Sequence, residues 1–289
     1  MIMLSAILAT LAAPAAIEER CYSSGERSGC VHGPAAARAG ARQPLIIFLH
    51  GYGGDGRDDT LGLAGAAERE GSLYAFAQGT PDSFGRKTWM AIDAAASGQS
   101  PLADDVAFLD WFIGRIEADW RIDPGRVFVA GWSLGGFMAL RFACERAQRV
   151  AAFATYAGGM STLADCRPTE PVSALLIHGD SDSTVSYRGG TGARTGLRYQ
   201  SAEAVFQSWA QLDGCKGSFE VLPGKLDLHA TIAGAETRRA RIAGCARAAG
   251  VELWTVQGGG HAPAMTAAGS NAIVRFLLAH PKRWAGRNR

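Results

Sequence analysis

Residues 127–141 read as a strand, a tight turn and a helix, and that succession constrains the fold more than any other stretch of the chain. The apolar run Val127-Phe128-Val129-Ala130 leads into Gly131-Trp132-Ser133-Leu134-Gly135-Gly136, and Phe137-Met138-Ala139-Leu140-Arg141 follows with helical character. A G-x-S-x-G turn in this setting predicts a nucleophile elbow, in which small flanking residues let the chain bend sharply enough to lift the serine hydroxyl above a sheet. A glycine-rich turn without chemistry is the bland alternative. The strand before and the helix after Ser133 argue against it.

A serine hydroxyl needs a base to take its proton and an acid to orient that base, in the chain order Ser, Asp or Glu, His when the elbow belongs to an α/β-hydrolase fold. Downstream, the buried-strand run Ala174-Leu175-Leu176-Ile177-His178 opens into Gly179-Asp180-Ser181-Asp182, a loop with two acids. The strand Val251 to Val256 ends in Gln257-Gly258-Gly259-Gly260-His261. Both loops leave strands at the edge where open parallel sheets bind ligands. His261, following three glycines with little packing of its own, is the predicted base. Asp180 and Asp182 compete as the orienting acid, and spacing does not separate them. The strand Pro44 to Leu49 ends in His50-Gly51-Tyr52-Gly53-Gly54. The backbone N–H of Tyr52 in that loop, with the N–H of Leu134, is the predicted oxyanion hole, each donor being worth about 3–4 kcal/mol. His50 is read as a structural histidine hydrogen-bonded beneath the loop.

These pieces resemble the secreted esterase family that includes feruloyl esterases, acetyl xylan esterases and polyhydroxybutyrate depolymerases, from about Pro44 to His261. The resemblance is carried by Leu49-His50-Gly51-Tyr52-Gly53, Gly79-Thr80-Pro81-Asp82-Ser83 with Trp89, Asp104-Asp105-Val106, Arg126 to Val129, Gly131 to Gly136, His178-Gly179 with Asp182, Tyr187-Arg188-Gly189-Gly190, and Gly259-Gly260-His261. In that family the loop after the strand usually reads His-Gly-Thr-Ala-Asp, its last Asp in the triad. The resemblance therefore selects Asp182. The chain departs from the family's Gly-His-Ser-Asn-Gly-Gly elbow, since Trp132 and Leu134 flank the serine with apolar surface, and Tyr52 stands where some members have a cysteine. The resemblance implies a serine esterase acting on feruloyl- or acetyl-type esters of plant polysaccharide, with hydroxyalkanoate polyester as the alternative. It places Trp89 near the pocket as a substrate contact, with a packing anchor as the competing reading; Trp132, beside the nucleophile, is read as a second substrate contact, and triad chemistry needs no metal or organic cofactor. A peptidase or thioesterase on the same fold would carry the same triad, whereas a non-catalytic binder would be expected to have lost a triad member, and none is lost.

Six cysteines, an even number, fit an exported, oxidised protein. Fifteen pairings of six cysteines are possible; if neighbours pair, the set is Cys21 with Cys30, Cys144 with Cys166 and Cys215 with Cys245, and the resemblance points to the last two pairs. A bridge between Cys144 and Cys166 would stabilise the fold by about 3 kcal/mol. Residues 1–16 are apolar and contain Ala13-Pro14-Ala15-Ala16, which predicts a cleaved signal segment, although its first residues lack Lys or Arg. The expected location is secreted or periplasmic, with no membrane association after cleavage.

At 289 residues, 47% hydrophobic and 19% charged, the chain can bury one large core, so residues 17–289 are read as a single catalytic domain. A net charge of +2, with no basic stretch interleaved with aromatics, argues against nucleic acid as a partner. Strand and helix alternate, which predicts an α/β-hydrolase fold with a mainly parallel sheet covered on both faces. Val106, Leu109, Phe112, Ile113 and Ile116 predict an amphipathic helix over 105–120 that starts on acids. Ser270 is the expected cap of a last helix through Ile273, Phe276 and Leu277. Residues 183–245 are read as a loop region, with 219–243 as a lid or an edge hairpin. Asp55-Gly56-Arg57-Asp58-Asp59 lacks the full spacing of a calcium loop and is read as a solvated turn.

Overall fold

A computed structural model describes residues 16–91, 104–161, 166–192, 196 and 198–283. The expected signal segment, 1–16, lies outside the described residues except for its last position. The chain enters as a hairpin of β1 (Ile17–Ser24) and β2 (Arg27–Pro34). Then come β3 (Gln43–Leu49), α1 (Leu63–Arg69), β4 (Leu73–Gln78) and the short pair β5 (Thr80–Pro81) and β6 (Lys87–Thr88). The helix α2 (Asp105–Asp119) precedes β7 (Ile122–Trp132), α3 (Leu134–Glu145), β8 (Ala152–Tyr156) and β9 (Ser173–Gly179). The remainder is β10 (Gly190–Thr191), β11 (Arg198–Tyr199), α4 (Ala202–Leu212), β12 (Phe219–Val221), β13 (Thr237–Ile242), β14 (Val251–Val256) and α5 (Ala267–Ala279).

Ten strands form one sheet in the order β1-β2-β4-β3-β7-β8-β9-β14-β13-β12. From β4 to β14 neighbouring strands run parallel, and both flanks are antiparallel. Parallel strands are buried on both faces and so read as continuous apolar runs. Along β3 the period of two sends Leu45, Ile47 and Leu49 into the core beneath α2, α3 and α4. Ile46 and Phe48 enter the opposite core, beneath α1 and α5. This is the α/β-hydrolase architecture that the sequence predicts.

The helix over 105–120 is α2, and it starts where its acids place it: Asp104 caps it by accepting the Ala107 N–H at 2.9 Å. The last helix corrects one expectation. Its cap is Thr266, which accepts the Gly269 N–H at 2.9 Å, while Ser270 lies inside the first turn and donates to the Leu61 carbonyl at 2.8 Å. The apolar positions Ile273, Phe276 and Leu277 define which face is buried but not where the helix begins. Within 183–245, α4 is a core helix with Val205, Phe206 and Trp209 buried, and β12 and β13 extend the sheet as an antiparallel edge. The cysteines join as neighbours: Cys21 with Cys30 across β1 and β2, Cys144 near the end of α3 with Cys166, and Cys215 after α4 with Cys245. Among the described residues no helix is long and apolar enough to cross a membrane. The Asp55–Asp59 turn is closed by its own capping box and by Lys87, whose ammonium lies 2.6 Å from the Asp55 carboxylate.

Candidate active site

The elbow is built from close backbone approach. Strand β7 ends at Trp132, α3 begins at Leu134, and Ser133 between them has φ 53° and ψ −123°. A non-glycine residue at positive φ costs on the order of 1–3 kcal/mol and is kept only where its surroundings over-determine it. Here a Cβ on Gly131 would overlap the Gly135 carbonyl, and one on Gly135 would overlap the Leu49 carbonyl. The Ser133 N–H is fixed to the Tyr156 carbonyl at 2.8 Å. The first N–H groups of α3, beginning with Leu134, have no acceptor within the helix and carry the positive end of its dipole beside the serine.

His261 Nε2 lies 2.9 Å from Ser133 Oγ, and His261 Nδ1 lies 2.8 Å from Asp182 Oδ2. A carboxylate only accepts, so Nδ1 carries the proton and Nε2 is left to accept from the serine hydroxyl. The Asp182 side chain has 0% exposure and that of His261 17%, so the carboxylate is shielded from water while the imidazole stays partly accessible. Burial alone would raise the Asp182 pKa; hydrogen bonds from His178, His261 and the Val185 N–H outweigh it and hold the carboxyl well below the usual range. Asp180 sits elsewhere. Its Oδ1 accepts the Gly258 N–H at 2.7 Å, so it ties down the glycine loop that carries His261. Trp132 clamps the same loop: its Nε1–H donates to the His261 carbonyl at 2.9 Å, with the two rings 5.6 Å apart.

The loop after β3 rests against the serine, since a Cβ on Gly51 would stand 3.4 Å from Ser133 Cβ and 2.9 Å from the Trp132 ring. His50 is the pillar beneath it. Its Nε2 accepts the Gly79 N–H at 3.1 Å, which leaves Nδ1–H to donate to the Gly51 carbonyl at 2.7 Å. Burial pushes its pKa down and keeps it neutral in this role. Tyr52 is anchored by its hydroxyl donating to Asp82 at 2.5 Å, and Gly53 N–H donates to the Lys87 carbonyl at 2.8 Å. Trp89 corrects the expectation of a substrate contact. It is 1% exposed, its Nε1–H donates to the His50 carbonyl at 2.9 Å, and its ring packs on the His50 imidazole at 5.0 Å. It supports the loop from below.

Among the described residues one trio, Glu19, Cys21 and Cys30, brings its donor atoms within reach of a single metal ion. Both sulfurs are joined in a disulfide, so neither is available as a thiolate ligand. Two clefts of about 780 and 460 Å³ open away from the elbow, the first lined by Arg38, Arg42, Arg121 and Arg149, the second by His32, Tyr74 and Phe76. Neither includes Ser133 or His261. The resemblance quotes His178 among its motif residues without a role for it, yet this histidine borders the Asp182 carboxylate at 3.4 Å. Its position at the end of a buried strand, four residues before the acid, was the available signal.

No protein-family model matches the chain. It is 29% identical over 245 residues to feruloyl esterase B of Piromyces equi, which covers 81% of this chain and 42% of that protein. It is 29% identical over 170 residues to feruloyl esterase D of Neurospora crassa, covering 58% of this chain and 51% of the relative. The chain thus spans about half or less of the length of these curated relatives. Among solved structures it is similar to an acetyl xylan esterase from Aspergillus awamori, with TM-score 0.62, 14% identity and coverage of 90% of this chain and 99% of that one. It is similar also to an S-formylglutathione hydrolase from Agrobacterium tumefaciens, with TM-score 0.59, 12% identity and coverage of 92% and 95%. At such identities the solved structures carry the fold alone, and that fold is the one derived above. The resemblance to feruloyl esterases is borne out by the two sequence likenesses, and the likeness to the acetyl xylan esterase is one of fold.

Proposed function

We propose that this chain is a serine-type carboxylic ester hydrolase whose nucleophile is Ser133, whose general base and acid is His261, and whose orienting acid is Asp182. One observation carries the reading: a hydroxyl, an imidazole and a buried carboxylate stand in line at 2.9 and 2.8 Å, with the hydroxyl on a strained elbow. The serine oxygen attacks the acyl carbon while its proton passes to His261 Nε2, and Asp182 holds the imidazolium that forms. The carbonyl oxygen, now negative, is received by the N–H groups of Leu134 and Tyr52. His261 returns its proton to the departing alkoxide, which leaves as the alcohol. Water then repeats the sequence on the acyl-serine, giving up a proton to His261, and the acid is released with Ser133 restored.

Feruloyl- or acetyl-type esters of plant polysaccharide are the preferred substrate class. The names of the relatives support this choice, as does the apolar pair Trp132 and Leu134 beside the nucleophile, since burying a cinnamoyl ring gains about 25 cal/mol per Å² removed from water. Three disulfides support an exported enzyme that works in an oxidising compartment. Residues 17–289 act as one catalytic domain in this reading. A panel of methyl ferulate, an aryl acetate, a hydroxybutyrate oligomer and a peptide amide tests it. The two soluble esters are expected to give the higher kcat/KM. A better rate on the oligomer would transfer the assignment to polyester cleavage, and a better rate on the amide would transfer it to peptide hydrolysis.

A further inference from the structure

Two imidazoles border the Asp182 carboxylate. Its Oδ2 accepts from His261 Nδ1 at 2.8 Å and stands 3.4 Å from His178 Nε2, while Oδ1 accepts the N–H groups of Thr184 and Val185 at 2.8 Å each. His178 lies at the end of β9, in register with Thr255 of β14, and its side chain is 4% exposed. Its Nε2 is 2.7 Å from the Val185 carbonyl. A carbonyl only accepts, so the proton is on Nε2 and points into the Asp182–Val185 turn. The ring is held at its edge by Tyr187, 5.7 Å away at 83°, and the Tyr187 hydroxyl is hydrogen-bonded to Thr255 Oγ1 at 3.0 Å. The ionisable groups around it are Asp182 and Tyr187, with His261 beyond the carboxylate and Glu203 and Asp180 beyond the tyrosine.

We propose that His178 is a positioning residue of this site: its Nε2–H closes the Asp182–Val185 turn and shares the Asp182 carboxylate with His261, so that it sets both the aim of the carboxylate and how strongly it draws on the base. The inference rests on the ester hydrolase reading. Its distinctive consequence concerns sign. With the second donor gone, the Asp182 charge acts on His261 alone, and the base holds its proton to higher pH. A merely structural role would let the carboxylate drift from His261, and the base would lose its proton at lower pH.

The test compares His178→Leu and His178→Gln in the full chain, with p-nitrophenyl acetate as substrate across pH and the low-field proton resonance of His261 Nδ1–H as a second readout. The Leu variant is expected to lower kcat by about tenfold with KM within about twofold, and to move the acid limb of kcat/KM up by about half a pH unit. The Gln variant, whose amide N–H falls near the Nε2 position, is expected to recover most of the loss. If the Leu variant does not fold, His178→Asn, too short to reach the Val185 carbonyl, takes its place. Wild-type turnover and an unmoved acid limb in the Leu variant, an acid limb displaced downward, or a Gln variant as impaired as Leu would overturn the proposal. If the wild-type chain turns over no ester, the hydrolase reading fails by itself. The resonance then decides: movement in Leu with recovery in Gln supports the shared carboxylate, and no movement in Leu overturns it.

Discussion

Asp180 and Asp182 are two residues apart on one turn, and their different fates show what a single side chain's partners decide. Asp182 is buried and meets His261 Nδ1, whereas Asp180 spends its Oδ1 on the Gly258 N–H. Asp182→Asn places an amide against Nδ1 and favours the wrong tautomer, a change that costs about 10⁴ in kcat in serine-protease triads. A loss of about 10³ or more is expected here, against less than about tenfold for Asp180→Asn, both read as kcat on an aryl acetate; the reverse order would assign the acid to Asp180. Trp89 carries stability rather than specificity in this arrangement. As a fully buried ring beneath the His50 loop, it should cost about 3–5 kcal/mol of stability when cut to alanine, with the ratio of kcat/KM for methyl ferulate and aryl acetate unchanged. A shifted ratio at unchanged denaturation midpoint would return Trp89 to the substrate pocket. Sequence reasoning reached Ser133 and His261 because glycine-rich turns after strands leave few alternatives. Spacing left the acid open, because it says nothing about which carboxylate turns inward, and only the family resemblance singled out Asp182.

Elements were legible in proportion to how they are buried. The interior strands β3, β7, β8, β9 and β14 stand out through their apolar runs, such as Leu45 to Leu49 and Val127 to Ala130, whereas β1 and β13 are half exposed and polar, and their pairing is a property of distant partners. Helix α4 carries the spacing Val205, Phe206, Trp209, yet it follows the glycine-rich stretch 189–196 that gives the whole region its loop-like character. At its end sits a buried carboxyl. Asp213 accepts the Val172 N–H at 3.0 Å through Oδ1, and burial raises its pKa to about 7, partly offset by that hydrogen bond and by Lys282. A carboxyl whose folded pKa lies above its unfolded value of about 3.9 opposes folding as pH rises through that interval, because the unfolded chain releases the proton first. Asp213→Asn should therefore gain on the wild type in Tm as pH increases from 4 to 8. Parallel Tm curves for the two proteins would contradict this placement of Asp213.

At the scale of the whole molecule, one sheet assembles a site from segments far apart in the chain. The elbow after β7 carries Ser133, the loop after β9 Asp182, the loop after β14 His261, and the loop after β3 rests against the serine. These strands are parallel neighbours or near neighbours, so their carboxyl ends fall on one edge. The order of elements along the chain conveys that convergence, which is why the fold was readable before the contacts were. In the proposed function Ser133 becomes acylated because His261 and Asp182 activate it. Acid-quenched mass mapping of the chain during turnover of an aryl ester tests it most directly. An acyl group is expected on the peptide containing Ser133 in the wild type, and on no residue in Ser133→Ala or His261→Ala. Acylation at another residue, or undiminished turnover in a folded Ser133→Ala protein, would contradict the account.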